Sequence, residues 1–189
     1  MGLAKRTFAL AAAGAATAIT GPGAFYGIHV REVTGVAAPG TLQVYDNTSA
    51  AGTLVATIRL GADGESNFEW TKGVKFQNGL HLVATGADLT GMVVIGSSGG
   101  LRALPFAGAD LLLLTGPTEV DSVLAAETAG AAAEWRVFDA HSAAGTSFVG
   151  GINVANETQK VSFHKGVNMG TGLFYDQVTG AVSGNVYVR

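Results

Sequence analysis

The chain has no cysteine, which excludes disulfides and thiolate metal sites together. Packing and hydrogen bonding must therefore supply all of its stability, and either redox compartment is tolerated. Proline is scarce, with four residues against 28 glycines, so glycine carries most of the turns. Charge is thin: Asp, Glu, Lys and Arg make up 13% of the residues, about half the usual ~25%. The formal net charge is -3, and Lys5-Arg6 is the one adjacent basic pair. Nucleic-acid binding needs a concentrated basic footprint, so no nucleic-acid partner is expected. Apolar runs are short as well. Leu111–Leu114 is intense but spans four residues, far from the ~18–20 of a membrane helix, and no membrane partner is expected.

What remains is a chain that is 48% hydrophobic and rich in small residues. Its surface is correspondingly neutral. Such a surface either lies against partners or belongs to a thrifty all-β protein with short turns.

The sequence repeats itself. "YDNTSAAGT" (Tyr45–Thr53) returns 93 positions later as "FDAHSAAGT" (Phe138–Thr146). At that offset, Leu42–Leu80 matches Trp135–Leu173 with 13 identities in 39 ungapped positions. Lys72-Gly73-Val74 meets Lys165-Gly166-Val167, Gly79-Leu80 meets Gly172-Leu173, and Gly91 meets Gly184. Upstream the offset becomes 95: Thr20-Gly21-Pro22 meets Thr115-Gly116-Pro117, and Glu32 meets Glu127. A fixed period with a two-residue drift is the mark of a duplicated module with an indel in a loop.

Within each copy the apolar period is two, as half-buried strands require. Leu54, Ala56, Ile58 and Leu60 alternate with Val55, Thr57 and Arg59; Tyr26, Ile28 and Val30 alternate with His29 and Arg31. Turn formers separate the runs, among them Ala62-Asp63-Gly64 and Asn78-Gly79. Seven or eight short strands per copy, at spacings of ~8–12 residues, predict an all-β fold of two tandem antiparallel β-sandwich repeats, Ig-like or jelly-roll-like. The expected division is an N-terminal strand or arm over residues 1–20, repeat 1 over 21–95, a Gly/Ser-rich linker over 96–105, and repeat 2 over 106–189. A secretory signal is the alternative for the N-terminus; the echo of "AITGPG" (Ala18–Gly23) in "LLTGPT" (Leu113–Thr118) favours a strand. The Ala-rich Ser122–Trp135 is the one stretch expected to admit a helical turn. Asp46 and Asp139 end strands and are expected to accept N–H groups two residues on, in an Asx-type turn.

Chemistry is sparse. His29, His81, His141 and His164 show no HxH or HExxH spacing and read as surface residues, with His141 and His164 in or near turns. There is no GxSxG elbow or Walker loop, and "GSSGGLR" lacks the lysine a phosphate cradle needs. Asp63-Gly64-Glu65 lacks the alternating oxygen ligands of a calcium loop. Glu69, Asp88, Asp110, Glu119 and Asp121 are scattered. Trp70 and Trp135 are expected in the core or where the copies meet. The expectation is therefore no catalytic residue, no metal site and no cofactor.

"TGPGAFYGIHV", "GTLQVYDNTSAAGTLVATIRL", "KGVKFQNGLHLVATG" and "GMVVIG" together resemble a β-sandwich pattern of tailed-bacteriophage virion structural proteins. Copy two keeps Val137, Asp139, Ser142–Thr146, Gly166-Val167 and Gly172-Leu173, and departs where Gly116-Pro117 is followed by Thr118-Glu119. The resemblance implies a non-enzymatic virion component on the capsid surface, a decoration or cement protein bridging coat subunits. The implied partners are the major capsid protein or other virion subunits, and further copies of itself in a homo-oligomer. The alternatives are a tail or baseplate subunit, or a secreted or cell-surface adhesion module. An arm formed by residues 1–20 would add a strand to a neighbour's sheet.

Overall fold

A computed structural model describes residues 5–10, 14–35, 39–97, 99–144 and 147–189. Among them the chain is all-β, strands joined by turns with no helix, and it divides into two compact units, Met1–Ala103 and Leu104–Arg189. Unit 1 contains β1 (Arg6–Leu10), β2 (Gly14–Thr20), β3 (Gly23–Glu32), β4 (Gly40–Asp46), β5 (Thr53–Leu60), β6 (Glu65–Phe76), β7 (Gly79–Thr85) and β8 (Leu89–Gly96). The division falls inside β9 (Arg102–Ala107). Unit 2 continues with β10 (Leu111–Thr115), β11 (Thr118–Glu127), β12 (Ala133–Phe138), β13 (Ser147–Asn153), β14 (Thr158–Met169), β15 (Gly172–Thr179) and β16 (Val182–Val188).

Unit 1 has sheets ordered β1-β8-β3-β6 and β2-β7-β4-β5; unit 2 has β9-β16-β11-β14 and β10-β15-β12-β13. Adding eight to every strand of the first pair gives the second. The duplication is therefore a duplication of topology, two tandem antiparallel sandwiches. The drift from 95 to 93 also has its place. The β3–β4 loop runs over residues 33–39 and its counterpart over 128–132, two residues shorter.

Alternation builds the core. Along β4, Leu42 and Val44 are fully buried between half-buried Thr41, Gln43 and Tyr45, and Leu80 and Leu82 of β7 face the same interior. Each such side chain contributes about 1.5–3 kcal/mol relative to exposure. Trp70 lies against Phe25, ring centroids 4.8 Å apart. In unit 2, Trp135, Val137, Leu173 and Tyr175 meet Val120, Val123, Val186 and Val188 in one cluster, and Phe106 stacks on Tyr175 at 4.1 Å. Both tryptophans thus belong to the core of their own unit. On β5 the alternation is weaker than expected, because Val55 and Thr57 are buried along with Ala56 and Ile58.

The repeated glycines have backbone reasons. In the β3–β6 ladder, Phe25 pairs with Val74 and Gly27 with Glu69, so Tyr26 alone faces the four residues from Trp70 to Gly73. Unit 2 repeats this bulge with Asp121 facing Phe163–Gly166. Gly73 and Gly166 close the two excursions at φ of 64° and 78°, a region that penalises any Cβ. At Gly91 and Gly184, a Cβ would lie 2.0 Å from the carbonyl oxygens of His29 and Leu124; only glycine lets the central strands approach so closely.

Two expectations are corrected. Ser122–Trp135 has no helical turn: Ser122–Glu127 is held between β14 and β16, where ladder pairing overrides alanine's helix propensity. Residues 1–20, read as a strand or an arm, form strands among the described positions. β1 pairs with β8 and β2 with β7, both within unit 1. The stretch read as a linker, 96–105, contains the end of β8 and the start of β9. Between them Leu101 is fully buried and exchanges backbone hydrogen bonds with Gly73 and Lys75 at 3.0 and 2.7 Å.

Candidate interaction surface

Carboxylates tie down the loops at strand ends, in duplicate. Asp46 accepts the N–H groups of Gln77 (2.9 Å) and Asn78 (2.8 Å). Asp139 accepts those of Gly170 (2.9 Å), Thr171 (2.8 Å) and Gly172 (3.2 Å). This corrects the expected Asx-type turn. The aspartate of the repeated phrase reaches some thirty residues on, to clamp the turn that carries the chain from one sheet to the other, β6 to β7 in unit 1 and β14 to β15 in unit 2. Backbone donation from Gly170 and Thr171 holds the Asp139 carboxyl below its ordinary range.

Glu32 and Glu127 do the same work at other strand ends, fully buried. Glu32 accepts the hydroxyl and N–H of Thr34 and the N–H groups of Gly35 and Asp63. The Thr34 hydroxyl, then the Asp63 N–H, draw its pKa down to about 2 from the ordinary 4.5. Glu127 accepts from Ala129, Gly130 and Asn156. Burial raises its pKa, but the N–H groups led by Asn156 outweigh burial and leave it lowered. Neither glutamate was singled out as a site residue from sequence; the signal was their match at offset 95.

The sequence-selected residues do not converge. His29 Nε2 meets Glu65 Oε1 at 2.8 Å, His81 Nδ1 meets the Thr17 hydroxyl at 3.0 Å, and His141 meets the Thr171 carbonyl at 3.0 Å in a turn. His164 is exposed within β14 rather than near a turn, a correction, because the bulge lengthens that strand. Asp63 donates its N–H to Glu32, so its turn is structural. Among the described residues, no group of three His, Cys, Asp or Glu is placed to hold a metal. A shallow hollow of about 260 Å³ lies over Glu134, Arg136, Ser147 and Gly150-Gly151, below the ~300–1,000 Å³ usual for small-molecule sites.

What the surface offers instead is an outward row of side chains on one sheet of each unit. On β7 the neighbours Leu80 and Leu82 point inward, so His81 points out; Thr17 and Tyr45 are its cross-strand partners. That row is polar, with the Thr17 hydroxyl also donating to the Thr48 carbonyl at 3.2 Å. The matching row in unit 2 is Leu112–Phe174–Phe138, entirely apolar; Phe138 is buried and Phe174 half-buried, so the row reaches solvent mainly at Leu112. It ends at the sheet edge, where Leu111 and Leu112 are 42% and 41% exposed. On the same sheet Ile152 is 66% exposed. Asp110 borders the row and accepts the Gln177 N–H at 3.0 Å; Asp176 beside it has its pKa raised by burial first and by Asp110 second.

No protein-family model matches this sequence, and no curated protein is significantly similar to it. The arrangement of the surface therefore carries the functional argument, beside the resemblance stated above.

Proposed function

We propose that the chain is a non-enzymatic structural component of a tailed-bacteriophage virion, acting as a decoration or cement protein that binds coat subunits on the capsid surface. The observation that carries this reading is the pairing of one scaffold with two different faces. Both units have the same eight-strand topology and the same carboxylate-clamped turns, yet the equivalent cross-strand row is polar in unit 1, Thr17–His81–Tyr45, and apolar in unit 2, Leu112–Phe174–Phe138, where it reaches solvent mainly at Leu112. Two stiff modules with unlike faces suit a subunit that contacts two neighbours at once, and linked contacts raise overall affinity through effective concentration. Charge is depleted at interface cores generally, which agrees with the uncharged row of unit 2.

The test is reconstitution. Shells of the encoding phage, prepared without this chain, should bind the purified protein saturably and then resist heat-induced rupture at higher temperature. Absence of binding to shells, with binding to isolated tails instead, would replace the capsid role by a tail or baseplate role; binding to neither would overturn the virion reading.

A further inference from the structure

We infer that Asn78, in the β6–β7 turn of unit 1, is a self-modification site: its side-chain amide condenses with the backbone nitrogen of Gly79, and the resulting deamidation loosens the Asp46 clamp of unit 1 while unit 2 keeps its own. The inference goes beyond the proposed function and stands on the turn alone.

Of the seven asparagines, Asn78 alone precedes glycine; every other successor carries a side chain that crowds the attacking nitrogen. Asn78 is exposed. Among the described residues its hydrogen bonds are both made by its backbone: the N–H donates to Asp46 Oδ1 at 2.8 Å, and the carbonyl accepts the Gly21 N–H at 3.1 Å. The side-chain amide can therefore turn toward Gly79. The same Gly21–Asn78 bond makes Thr20 and Gly79 a non-hydrogen-bonded pair of the β2–β7 ladder, so the Gly79 N–H takes no part in that ladder.

The fold fixes the glycine but not the asparagine. Gly79 has a φ of 146°, and a Cβ there would lie 2.8 Å from the Ile19 carbonyl oxygen. A Cβ on its counterpart Gly172 would meet the Leu114 carbonyl oxygen at 2.7 Å. Asn78 lies outside the positive-φ region, so the turn makes no conformational demand for it. Unit 2 places Thr171 there, which donates its N–H to Asp139 at 2.8 Å as Asn78 does to Asp46. Unit 2 also ties the Gly172 N–H to Asp139 at 3.2 Å. It thus lacks the reactive amide and holds the nitrogen.

In unit 1 the Gly79 nitrogen bonds to Asn78 Cγ, the Cγ–Nδ2 bond breaks, and ammonia leaves with the Gly79 proton, closing a succinimide. Water then opens the ring at either carbonyl, giving aspartate or isoaspartate. The new carboxylate arises beside Asp46, whose Oδ1 already accepts the N–H of that residue, and like charges so close repel. Isoaspartate also adds a methylene to the backbone just ahead of the fully buried Leu80. Either product weakens the clamp.

The test is to incubate the full, folded chain at mildly alkaline pH and follow ammonia release and peptide masses. Position 78 should exchange amide for acid about tenfold or more faster than any other asparagine, because only glycine leaves the attacking nitrogen uncrowded. An isoaspartyl methyltransferase should label the same peptide. Asn78→Thr, which copies unit 2, should abolish both signals with an unchanged circular dichroism spectrum. Asn78→Asp, one product made directly, should lower amide protection at Gln77 and at position 78 while Gly170 and Thr171 stay protected. Modification only after unfolding in urea, equal conversion at another asparagine, ammonia release that survives Asn78→Thr, or full protection at Gln77 in Asn78→Asp would overturn the inference.

Discussion

The buried carboxylate of Glu127 accepts the backbone N–H of Asn156 at 2.8 Å, and Asn156 is held at a φ of 60°. The same relationship joins Glu32 to Asp63, at 2.7 Å and a φ of 55°. These are the two positive-φ residues other than glycine among the described positions, and they are equivalent in the duplication. Each unit thus keeps one left-handed Asp or Asn where a buried glutamate can collect its N–H.

Removing that acceptor leaves several part-buried N–H donors without it. Glu127→Ala should destabilise unit 2 by roughly 2–4 kcal/mol, since unsatisfied buried groups cost about 1–3 kcal/mol each with partial relaxation. Asn156→Gly should be nearly neutral and Asn156→Val clearly destabilising, because the β-branched residue resists positive φ. Urea titration of the full chain, followed by Trp135 fluorescence in a Trp70→Phe background, reads all three.

Acid should loosen the loops before it unfolds the sheets. Glu32, Glu127 and Asp139 all have lowered folded-state pKa values. Their stabilisation is present above the unfolded-state values and is lost as pH falls through the folded ones. For Glu32 that window runs from 4.5 down to about 2. Amide protection factors at Gly35 and Asp63, relative to intrinsic exchange at each pH, should fall on acidification through this range, with a smaller acid response at Asp63 in Glu32→Gln.

Asp176 has the opposite sign. Its raised pKa, from burial and from Asp110, means that folding disfavours its charge at neutral pH and that acidification relieves the penalty. Asp176→Asn should raise stability at pH 7 by at most ~0.5 kcal/mol, since the group is well solvated. Paired thermal melts at pH 7 and pH 3 should show the gain only at pH 7.

Truncation of residues 1–20 deletes β1 and β2, one edge strand from each sheet of unit 1. The buried Leu10 goes with them, together with the Thr17 contact to His81. The truncated chain should lose the protected amides of β7 and β8 in hydrogen exchange while those of β11 and β15 persist.

The duplication and the strand alternation were legible because both are written in local order: a phrase repeated at fixed offset, and apolar residues at every second position. The function of the repeated aspartate was not. Asp46 looks like a turn residue from its neighbours, and its true donors, the N–H groups of Gln77 and Asn78, lie thirty-one and thirty-two positions away. Lys-Gly-Val was visible as a repeat, but the bulge that demands Gly73 depends on Tyr26 in another strand. The contrast between the rows at Leu112 and Thr17 was equally hidden. Which residues share a face across three strands is set by ladder register, and register is fixed only when the sheet forms.

The most direct test of the central claim is to locate the chain in intact particles of the phage that encodes it, by quantitative mass spectrometry and a cryo-electron-microscopy map. The account predicts many ordered copies on the outer shell, with the Leu112 end of the Leu112–Phe174–Phe138 row covered by a neighbouring chain. Particles that are complete and infectious without this chain, or a map in which that row faces solvent in every copy, would contradict it.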